Sequence, residues 1–365
     1  MKILIIDGTA GFSPTRLAEK PCGGIITSLT LIPRFLAKAG HEVTVLSVHN
    51  TVEHVDGVDY KPISMDVSSL QADVVVFNRN SIERPIAAYF KMKGARIVWW
   101  LHDIVQLSYL PDDGFRLADK IVALSRYCAR TYSEFYEITD DKMVVIPNGV
   151  DPKVFNPSFA PRKTNLFVSA SAQIKGLAPL SFTLHNLRRH NPAVVMRLYA
   201  SQKLHDQENS ASHDAQLQEL SLAGAQVLDP IPQKELADVF RQATALLMPN
   251  SYPEICSNVL LQAQACGLPI ISVPEGALPE TVKGGILGYD FLNAVSQLRN
   301  VNKWMSVSRE GVDHVRGRYE WNRIAGEWLT YLGDQLRGPG DPDRGAVQGS
   351  TGAGAQDGLP EVPGP

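Results

Sequence analysis

The sequence predicts an α/β protein built from two doubly wound, Rossmann-like domains that face each other across a cleft. Two observations lead to this prediction. Short apolar runs rich in valine and isoleucine alternate with segments of helical period, which is typical of a parallel sheet covered by helices on both faces. The chain of 365 residues is also long for a single core, so ordinary domain sizes predict two domains that meet at a cleft.

The first domain is predicted to span residues 1–157. Six strand-like runs, enough for a Rossmann-like sheet, occur at residues 3–7, 43–48, 73–78, 96–101, 120–124 and 143–147. Residues 24–39 are apolar on one face and precede Gly40, so we expect a helix with a glycine cap and a bend at Pro33.

The second domain is predicted to span residues 158–303, after a segment stiffened by four prolines between positions 147 and 161. Strand-like runs resume at residues 165–171, 194–199, 225–229, 245–249 and 269–273. A segment of helical period from 304 to 332 predicts C-terminal helices over 304–335. Residues 336–365 are rich in glycine, proline and alanine without apolar periodicity, so we predict a disordered tail.

Composition narrows the class of protein. Hydrophobic residues make up 44% of the chain, charged residues 20%, and the formal net charge is −3, so the chain has no global attraction to nucleic acid. The four cysteines form no CxxC pair and lack secretory spacing, which predicts a reducing compartment, no disulfides and no zinc. The apolar run at the N-terminus is too short for a signal peptide or a membrane span, so a cytoplasmic protein is expected.

The stretch SYPEICSNVLLQAQACGLPIIS, residues 251–272, carries the most specific signal. Ser257 is a good N-cap for a helix over 258–266, whose first amides would face the loop that holds Glu254 and would attract phosphate. Since a carboxylate there would repel phosphate, the useful partner of Glu254 is a neutral polyol. A sugar that carries phosphates meets both demands. The alternative is that Glu254 and Ser257 only cap the helix.

Three further positions predict ligand contacts. Lys175 follows a strand and a loop of small residues and precedes a helix, the order of a phosphate clamp, although a solvated charge is the alternative. Gly23 and Gly24 stand between the first strand and its helix, where backbone amides can approach a ligand closely. The absence of a GxGxxG pattern argues against a nicotinamide cofactor.

His102 is the candidate on the opposite side of the cleft. It follows the strand-like run 96–101, at the carboxyl end that faces the cleft, and can hydrogen-bond a hydroxyl or a developing charge. The alternative is a histidine satisfied by Asp103 and by packing at the strand end.

Taken together, these residues resemble the retaining glycosyltransferases of family 4, which have the GT-B fold, over roughly residues 1–335. The resemblance implies two Rossmann-like domains with a C-terminal helix that crosses back to the first domain. The matching segments are Gly23-Gly24-Ile25, Ala123-Leu124-Ser125, PNGVD at 147–151, Lys175-Gly176, Pro253-Glu254 with the following helix, and Glu320-Trp321.

The resemblance implies transfer of a hexosyl group from a nucleotide-diphosphate sugar to a hydroxyl of a glycan or lipid-linked acceptor, by a front-face mechanism that needs no metal and no other cofactor. Glu254 would bind sugar hydroxyls, Lys175 would neutralise the diphosphate, and His102 would lie beside the reacting sugar. The remaining donor contacts that it implies are Gly23, Gly24, Ile255, Cys256, Ser257, Asn258 and Gln262.

Two departures from the family pattern stand out. Ala170 replaces an arginine that commonly assists the lysine, and Arg16, Arg79, Arg197 and Arg241 are candidates to compensate. Gln262 replaces the second acid; its amide oxygen still accepts a ribose hydroxyl, at a loss of order 1 kcal/mol. These departures keep open a second interpretation, a degenerate protein that binds a nucleotide sugar or a partner without transfer. A nucleotide-sugar isomerase would need an acid/base pair that we do not identify.

Peripheral membrane contact is a further expectation if the acceptor is lipid-linked. The basic residues that would meet anionic lipid at the inner face of the membrane are Lys91, Lys93 and Arg96 beside Phe90 and Met92, and Arg126 with Arg130. The alternative is that these charges only solvate a helix face. The sequence leaves the sugar, the base, the acceptor and the oligomeric state open.

Overall fold

The computed structural model describes residues 1–8, 13–48, 52–79, 83–104, 116–158, 162–170, 177–205 and 208–336. Lys175, Gly176 and the C-terminal tail beyond residue 336 lie outside the described residues. Two sheets, one in each half of the chain, form the framework. Within the described part of the chain, no helix combines the length and the apolar character that a bilayer crossing requires.

The first sheet has the strand order β3-β4-β2-β1-β5-β6-β7-β8 and is parallel except for the β3–β4 pair. All six predicted runs form strands. The β3–β4 hairpin was not predicted, because both strands are short and largely polar. The strands are β1 (Lys2–Asp7), β2 (Glu42–Ser47), β3 (Glu53–Val55), β4 (Val58–Pro62), β5 (Val74–Asn78), β6 (Arg96–Trp100), β7 (Lys120–Ala123) and β8 (Met143–Val145).

The second sheet is parallel throughout, in the order β11-β10-β9-β12-β13-β14. The five predicted runs form strands, and the three-residue β14 was missed. In both sheets the strand order reverses next to the first strand, and ligands of open α/β sheets bind at the carboxyl ends beside such a reversal. The strands are β9 (Leu166–Ser169), β10 (Val195–Tyr199), β11 (Ala225–Leu228), β12 (Ala245–Met248), β13 (Ile270–Ser272) and β14 (Gly285–Leu287).

Helices connect the strands of each sheet. The predicted helix after β1 contains Pro33 and is followed by Gly40 in the left-handed region, at φ +90°. The helices are α1 (Arg16–Glu19), α2 (Gly24–Lys38), α3 (Arg84–Met92), α4 (Arg126–Tyr136), α5 (Leu177–His190), α6 (Ala211–Leu222), α7 (Gln233–Gln242), α8 (Asn258–Ala265), α9 (Leu278–Thr281), α10 (Phe291–Leu298), α11 (Val301–Val315) and α12 (Trp321–Leu336).

The C-terminal segment forms two helices that belong to different halves of the molecule. Helix α11 packs against α8 of the second sheet. Helix α12 packs against α2, and the ring of Trp328 lies 4.9 Å from the ring of Trp100 in β6. The predicted return of the last helix to the first domain is therefore confirmed.

The segment that leaves the first domain, around Val150, pairs with the segment that returns to it at the start of α12. Val150 N donates to Tyr319 O at 2.7 Å, and Trp321 N donates to Val150 O at 3.2 Å. A Cβ on Gly149 would lie 2.6 Å from the ring of Trp321, so only glycine allows this close approach. These contacts hold the PNGVD segment, residues 147–151, against the start of α12.

Hydrogen bonds also join the two domains directly. The carboxylate of Glu280, in α9, accepts from the backbone amides of Arg126 at 3.1 Å and Tyr127 at 2.8 Å, at the N-terminus of α4. Gln233 Nε2 donates to Thr27 Oγ1 at 3.1 Å. A carboxylate at a helix N-terminus is favourable because it faces unpaired amides and the positive end of the dipole. These hydrogen bonds hold the two domains in contact.

Candidate active site

The loop between β12 and α8 holds Glu254, whose side chain is 3% exposed. Ala277 N donates to the carbonyl oxygen of Glu254 at 2.7 Å. Gly276 has φ +61°, and a Cβ there would lie 2.5 Å from the same oxygen. The loop after β13 therefore shapes the loop that carries Glu254. Sequence reasoning missed Gly276 and Ala277, although a glycine soon after a strand was an available signal.

Helix α8 begins directly after this loop, opposite the start of α2. Ser257 occupies the N-cap position, but its hydroxyl makes no capping hydrogen bond, so the interpretation that its side chain caps the helix is wrong. A Cβ on Gly24 would lie 3.2 Å from the side-chain Cγ of Asn258. Both polar side-chain atoms of Asn258 are buried and find no hydrogen-bond partner among the described residues. Two helix N-termini, one from each domain, thus face the same space.

Helix N-termini of this kind bind anions, because their first amides have no partner within the helix and the dipole is positive there. Gly23 is the N-cap of α2 and has an extended backbone. Ile255 and Cys256, between Glu254 and α8, are both buried, each 6% exposed. The structure therefore brings both predicted glycines close to the loop that holds Glu254.

Asn148 connects these two helix starts. Ser28 Oγ donates to Asn148 Oδ1 at 3.0 Å, and Asn148 Nδ2 donates to Cys256 O at 3.2 Å. Asn148 is 4% exposed, so both bonds are shielded from water. It belongs to the PNGVD segment, for which sequence reasoning assigned no contact.

His102 lies just beyond β6, with its ring 4.4 Å from the ring of Trp100. The side chain is buried, and its Nε2 has no hydrogen-bond partner among the residues that the structure describes. Burial, and secondarily the charge of Arg79, lowers the pKa of His102 to about 3. The imidazole is therefore neutral at physiological pH and has a polar atom available for a ligand.

Asp103 brings His102 next to the loop of Glu254. Tyr252 Oη donates to Asp103 Oδ1 at 2.7 Å, across the cleft. Arg79 Nη2 lies 3.6 Å from Asp103 Oδ2. Because Tyr252 precedes Glu254 by two residues, this bond places the two predicted reactive side chains on adjoining loops.

The two glutamines of α8 differ in role. Gln264 is enclosed in the domain, where its Oε1 accepts from Lys283 N at 2.9 Å and from Gly284 N at 3.0 Å. Gln262 is buried at 7% exposure and stands one turn after Asn258, on the same side of α8. Its role as a ribose contact stays a prediction.

The candidate replacement arginines separate into two groups. Arg241 donates to Val154 O at 2.6 Å, in the segment that links the two domains, and Arg197 donates to the side chain of Gln226 at 3.4 Å within the second domain. Arg16 is 4% exposed and donates to Leu204 O at 3.0 Å, across the domains. Arg79 lies beside Asp103, whose carboxylate accepts from Tyr252 of the second domain, so Arg16 and Arg79 both lie close to a contact between the domains.

Two family models match the chain: "Glycosyltransferase Family 4" over residues 62–154 and "Glycosyl transferases group 1" over residues 162–301. Together they cover more than half of the chain. The chain belongs to glycosyltransferase family 4. This family membership confirms the resemblance seen in the sequence.

This family 4 chain is 29% identical over 245 residues to a D-inositol 3-phosphate glycosyltransferase of Stackebrandtia nassauensis, a match that covers 60% of the chain and 55% of that protein. The chain also spans about half the length of three other D-inositol 3-phosphate glycosyltransferases that it resembles. The similarity to these relatives therefore covers a part of each protein and not its whole length.

Solved structures confirm the GT-B fold. Sucrose-phosphate synthase from Thermosynechococcus elongatus has a TM-score of 0.73 and 16% identity, over 92% of this chain and 99% of that one. HepE of Anabaena in complex with UDP-glucose has a TM-score of 0.71 and 15% identity, over 92% of this chain and 100% of that one. At such identities the likeness concerns the fold alone.

Proposed function

We propose that this protein transfers a hexosyl group from a nucleotide-diphosphate sugar to a hydroxyl of a glycan or lipid-linked acceptor, with retention of configuration. The observation that carries the proposal is the convergence of two helix N-termini, those of α2 and α8, beside the buried carboxylate of Glu254. An anion-binding space next to a hydroxyl-binding carboxylate suits a sugar that carries phosphates. The complex of HepE with UDP-glucose, on the same fold, supports this class of donor.

Each part of the donor has a matching group in this proposal. The diphosphate would lie at the start of α8, where amides and Lys175 offset its charge, so that no metal ion is needed. The sugar hydroxyls would donate to Glu254. Gln262 would accept a hydroxyl hydrogen from the ribose, and the acceptor would enter from the first domain.

The reaction follows a front-face course. The bond between the anomeric carbon and the donor phosphate oxygen breaks, and the acceptor oxygen forms a bond to that carbon on the same face. The acceptor proton passes to the departing phosphate, so no protein nucleophile is required. The neutral imidazole of His102 hydrogen-bonds the sugar and stabilises the charge that develops on it, since preorganised polar groups act most strongly in a water-poor cleft.

A lipid-linked acceptor would bring the first domain to a membrane surface. Helix α3 offers an exposed apolar side chain there, Met92, which is 82% exposed beside the exposed Lys93. Lys91 has an internal partner, since its Nζ lies 3.0 Å from Asp119 Oδ1. Lys93 Nζ likewise donates to Tyr89 Oη, so the exposed Met92 is the feature of α3 that supports peripheral contact.

The test begins with a thermal-shift panel of UDP-, GDP- and ADP-sugars, because a compound that binds the folded state raises the unfolding midpoint in proportion to its affinity. The best binder is then assayed for transfer and for slow hydrolysis. Glu254→Gln and Lys175→Ala should each lower turnover at least about 100-fold. Glu310→Gln, at an exposed glutamate of α11, is the matched control and should keep wild-type turnover.

The second candidate function is binding without transfer, which Ala170 and Gln262 favour because both weaken the family pattern of diphosphate and ribose contacts. A nucleotide sugar that raises the midpoint but is neither transferred nor hydrolysed on prolonged incubation would support it. If no nucleotide sugar shifts the midpoint, or if Glu254→Gln turns over like wild type, both the transfer proposal and its site are wrong.

A further inference from the structure

The hydrogen bond from Tyr252 Oη to Asp103 Oδ1, at 2.7 Å, joins the two loops that carry the predicted reactive residues. Asp103 directly follows His102, and Tyr252 precedes Glu254 by two residues. The donor is a neutral hydroxyl and the acceptor a carboxylate, a combination stronger than a bond between neutral groups. Because its partners belong to different domains, the bond exists only while the cleft is closed.

Both ends of this bond are held within their own domains. On the first-domain side, Tyr132 Oη donates to the carbonyl oxygen of Asp103, and Arg79 Nη2 lies 3.6 Å from Asp103 Oδ2. On the second-domain side, Asn250 Nδ2 donates to the carbonyl oxygen of Tyr252. A bond between two anchored loops fixes their mutual position, which a bond between mobile loops would not do.

We propose that Tyr252 is a positioning residue: through Asp103 it sets His102 against Glu254 as the domains close. The inference rests on the proposed transfer reaction and adds to it a residue that acts through Asp103. Other contacts between the domains have different partners, since Glu280 binds a helix terminus and Gln233 binds α2. The bond of Tyr252 acts on the loop that carries His102.

The test variant is Tyr252→Phe, which removes the hydroxyl and keeps the ring. With the best binder from the panel of UDP-, GDP- and ADP-sugars, kcat should fall about 10- to 100-fold, as misplacement of a reacting group does. The KM for this donor should stay within about twofold, because the second domain holds the donor. The matched control is Tyr289→Phe, which removes a hydroxyl bonded to Glu275 inside one domain and should leave both constants unchanged.

A double-mutant cycle separates positioning from a general loss of structure. Asp103→Ala should lower kcat at least as much as Tyr252→Phe, because it also removes the carboxylate beside Arg79, and the double variant should lose no more than Asp103→Ala alone, since the bond between the two residues is already gone. Asp103→Asn keeps an acceptor oxygen and should recover part of kcat. Additive losses, or a fall of kcat that accompanies an equal rise of donor KM, would overturn the positioning role.

Failure of this inference differs from failure of the proposed function. If the wild-type protein turns over no nucleotide sugar of the panel, the transfer reaction is wrong. Small-angle scattering still tests the hydrogen bond between Tyr252 and Asp103. The radius of gyration of Tyr252→Phe should then exceed that of the wild type and of Tyr289→Phe, because the closed state loses a contact. Equal radii of all three proteins would then refute the inference.

Discussion

Gly276 lies against the backbone of Glu254, so closely that a Cβ on Gly276 would be 2.5 Å from the carbonyl oxygen of Glu254. Two loops that follow neighbouring strands, β12 and β13, thereby fix each other. The contact explains how a buried carboxylate is held at the start of α8, and it makes the position of Glu254 sensitive to a residue 22 positions later in the sequence.

Gly276→Ala should therefore damage the candidate site. The left-handed backbone and the clash with Glu254 together should cost about 1–3 kcal/mol of unfolding free energy. We expect a lower unfolding midpoint and loss of the shift caused by the best nucleotide sugar. The control is Gly288→Ala, since a Cβ there would meet nothing within 4 Å; equal behaviour of the two variants would contradict the contact.

Asn148→Asp should uncouple the starts of α2 and α8. The substitution replaces the Nδ2 donor with a carboxylate oxygen that faces the carbonyl oxygen of Cys256, in a position that is 4% exposed. A buried acceptor left without a donor costs about 1–3 kcal/mol, and a charge costs more. Ser28→Ala removes the other bond of Asn148 and the contact of Ser28 Oγ with Gly24 O, but it buries no charge and should be milder in urea unfolding; the reverse order would argue against this role.

The stability of the protein should depend on the neutrality of buried histidines. Burial lowers the pKa of His102 to about 3 and that of His314 to about 4, from 6.5 in an unfolded chain. Above pH 6.5 both histidines are neutral in the folded and in the unfolded chain, and their contribution to the free energy of unfolding is complete. As the pH falls from 6.5 toward 4, the unfolded chain takes up protons that the folded chain excludes, so unfolding becomes easier.

Urea unfolding between pH 7.5 and pH 5 measures this dependence. His102→Gln should show a shallower fall of unfolding free energy over that range than the wild type, because one of the linked protons is removed. The slope is the quantity to compare, since the substitution also changes packing. An unchanged slope in His102→Gln would show that this side chain protonates alike in both states.

Arg162 should be a major structural residue at the entry to the second sheet. Its Nη1 donates to Phe240 O at 2.9 Å, its Nη2 donates to Gly267 O at 3.1 Å, and its guanidinium lies 4.3 Å from the ring of Trp304. Arg162→Met keeps much of the volume but removes the charged donors to these carbonyls and the contact with the Trp304 ring, at a cost of roughly 3 kcal/mol. Arg309→Met, at an exposed arginine of α11, should be nearly neutral in thermal unfolding.

Local patterns explain why most strands were predictable. The interior strands of a parallel sheet are buried on both faces, so they appear as apolar runs, as β5 and β6 do. The β3–β4 hairpin and β14 lack such runs, because they lie at the edges of the sheets. The break between α11 and α12 was also missed. It depends on pairing of Glu320 with Val150, a partner 170 residues away in the sequence.

The residues of the candidate site also differ in whether local sequence predicts them. Glu254 and His102 could be nominated from the sequence because each stands at a strand end within a recognisable local pattern. The contacts of Tyr252 with Asp103 and of Asn148 with Cys256 were not, because they join residues 149 and 108 positions apart. No periodicity or motif spacing records such a pair.

The sequence by itself predicted the α/β class, the two sheets and the family. It also predicted the residue types that a phosphorylated sugar would need. Those features follow from local hydrophobic pattern and from the chemistry of single side chains. Folding alone settled which loops touch, that Ser257 does not cap α8 with its hydroxyl, and that Gln264 is structural. The physical reason is that hydrogen bonds and close packing depend on distances in space, which chain connectivity leaves free until both domains have closed on each other.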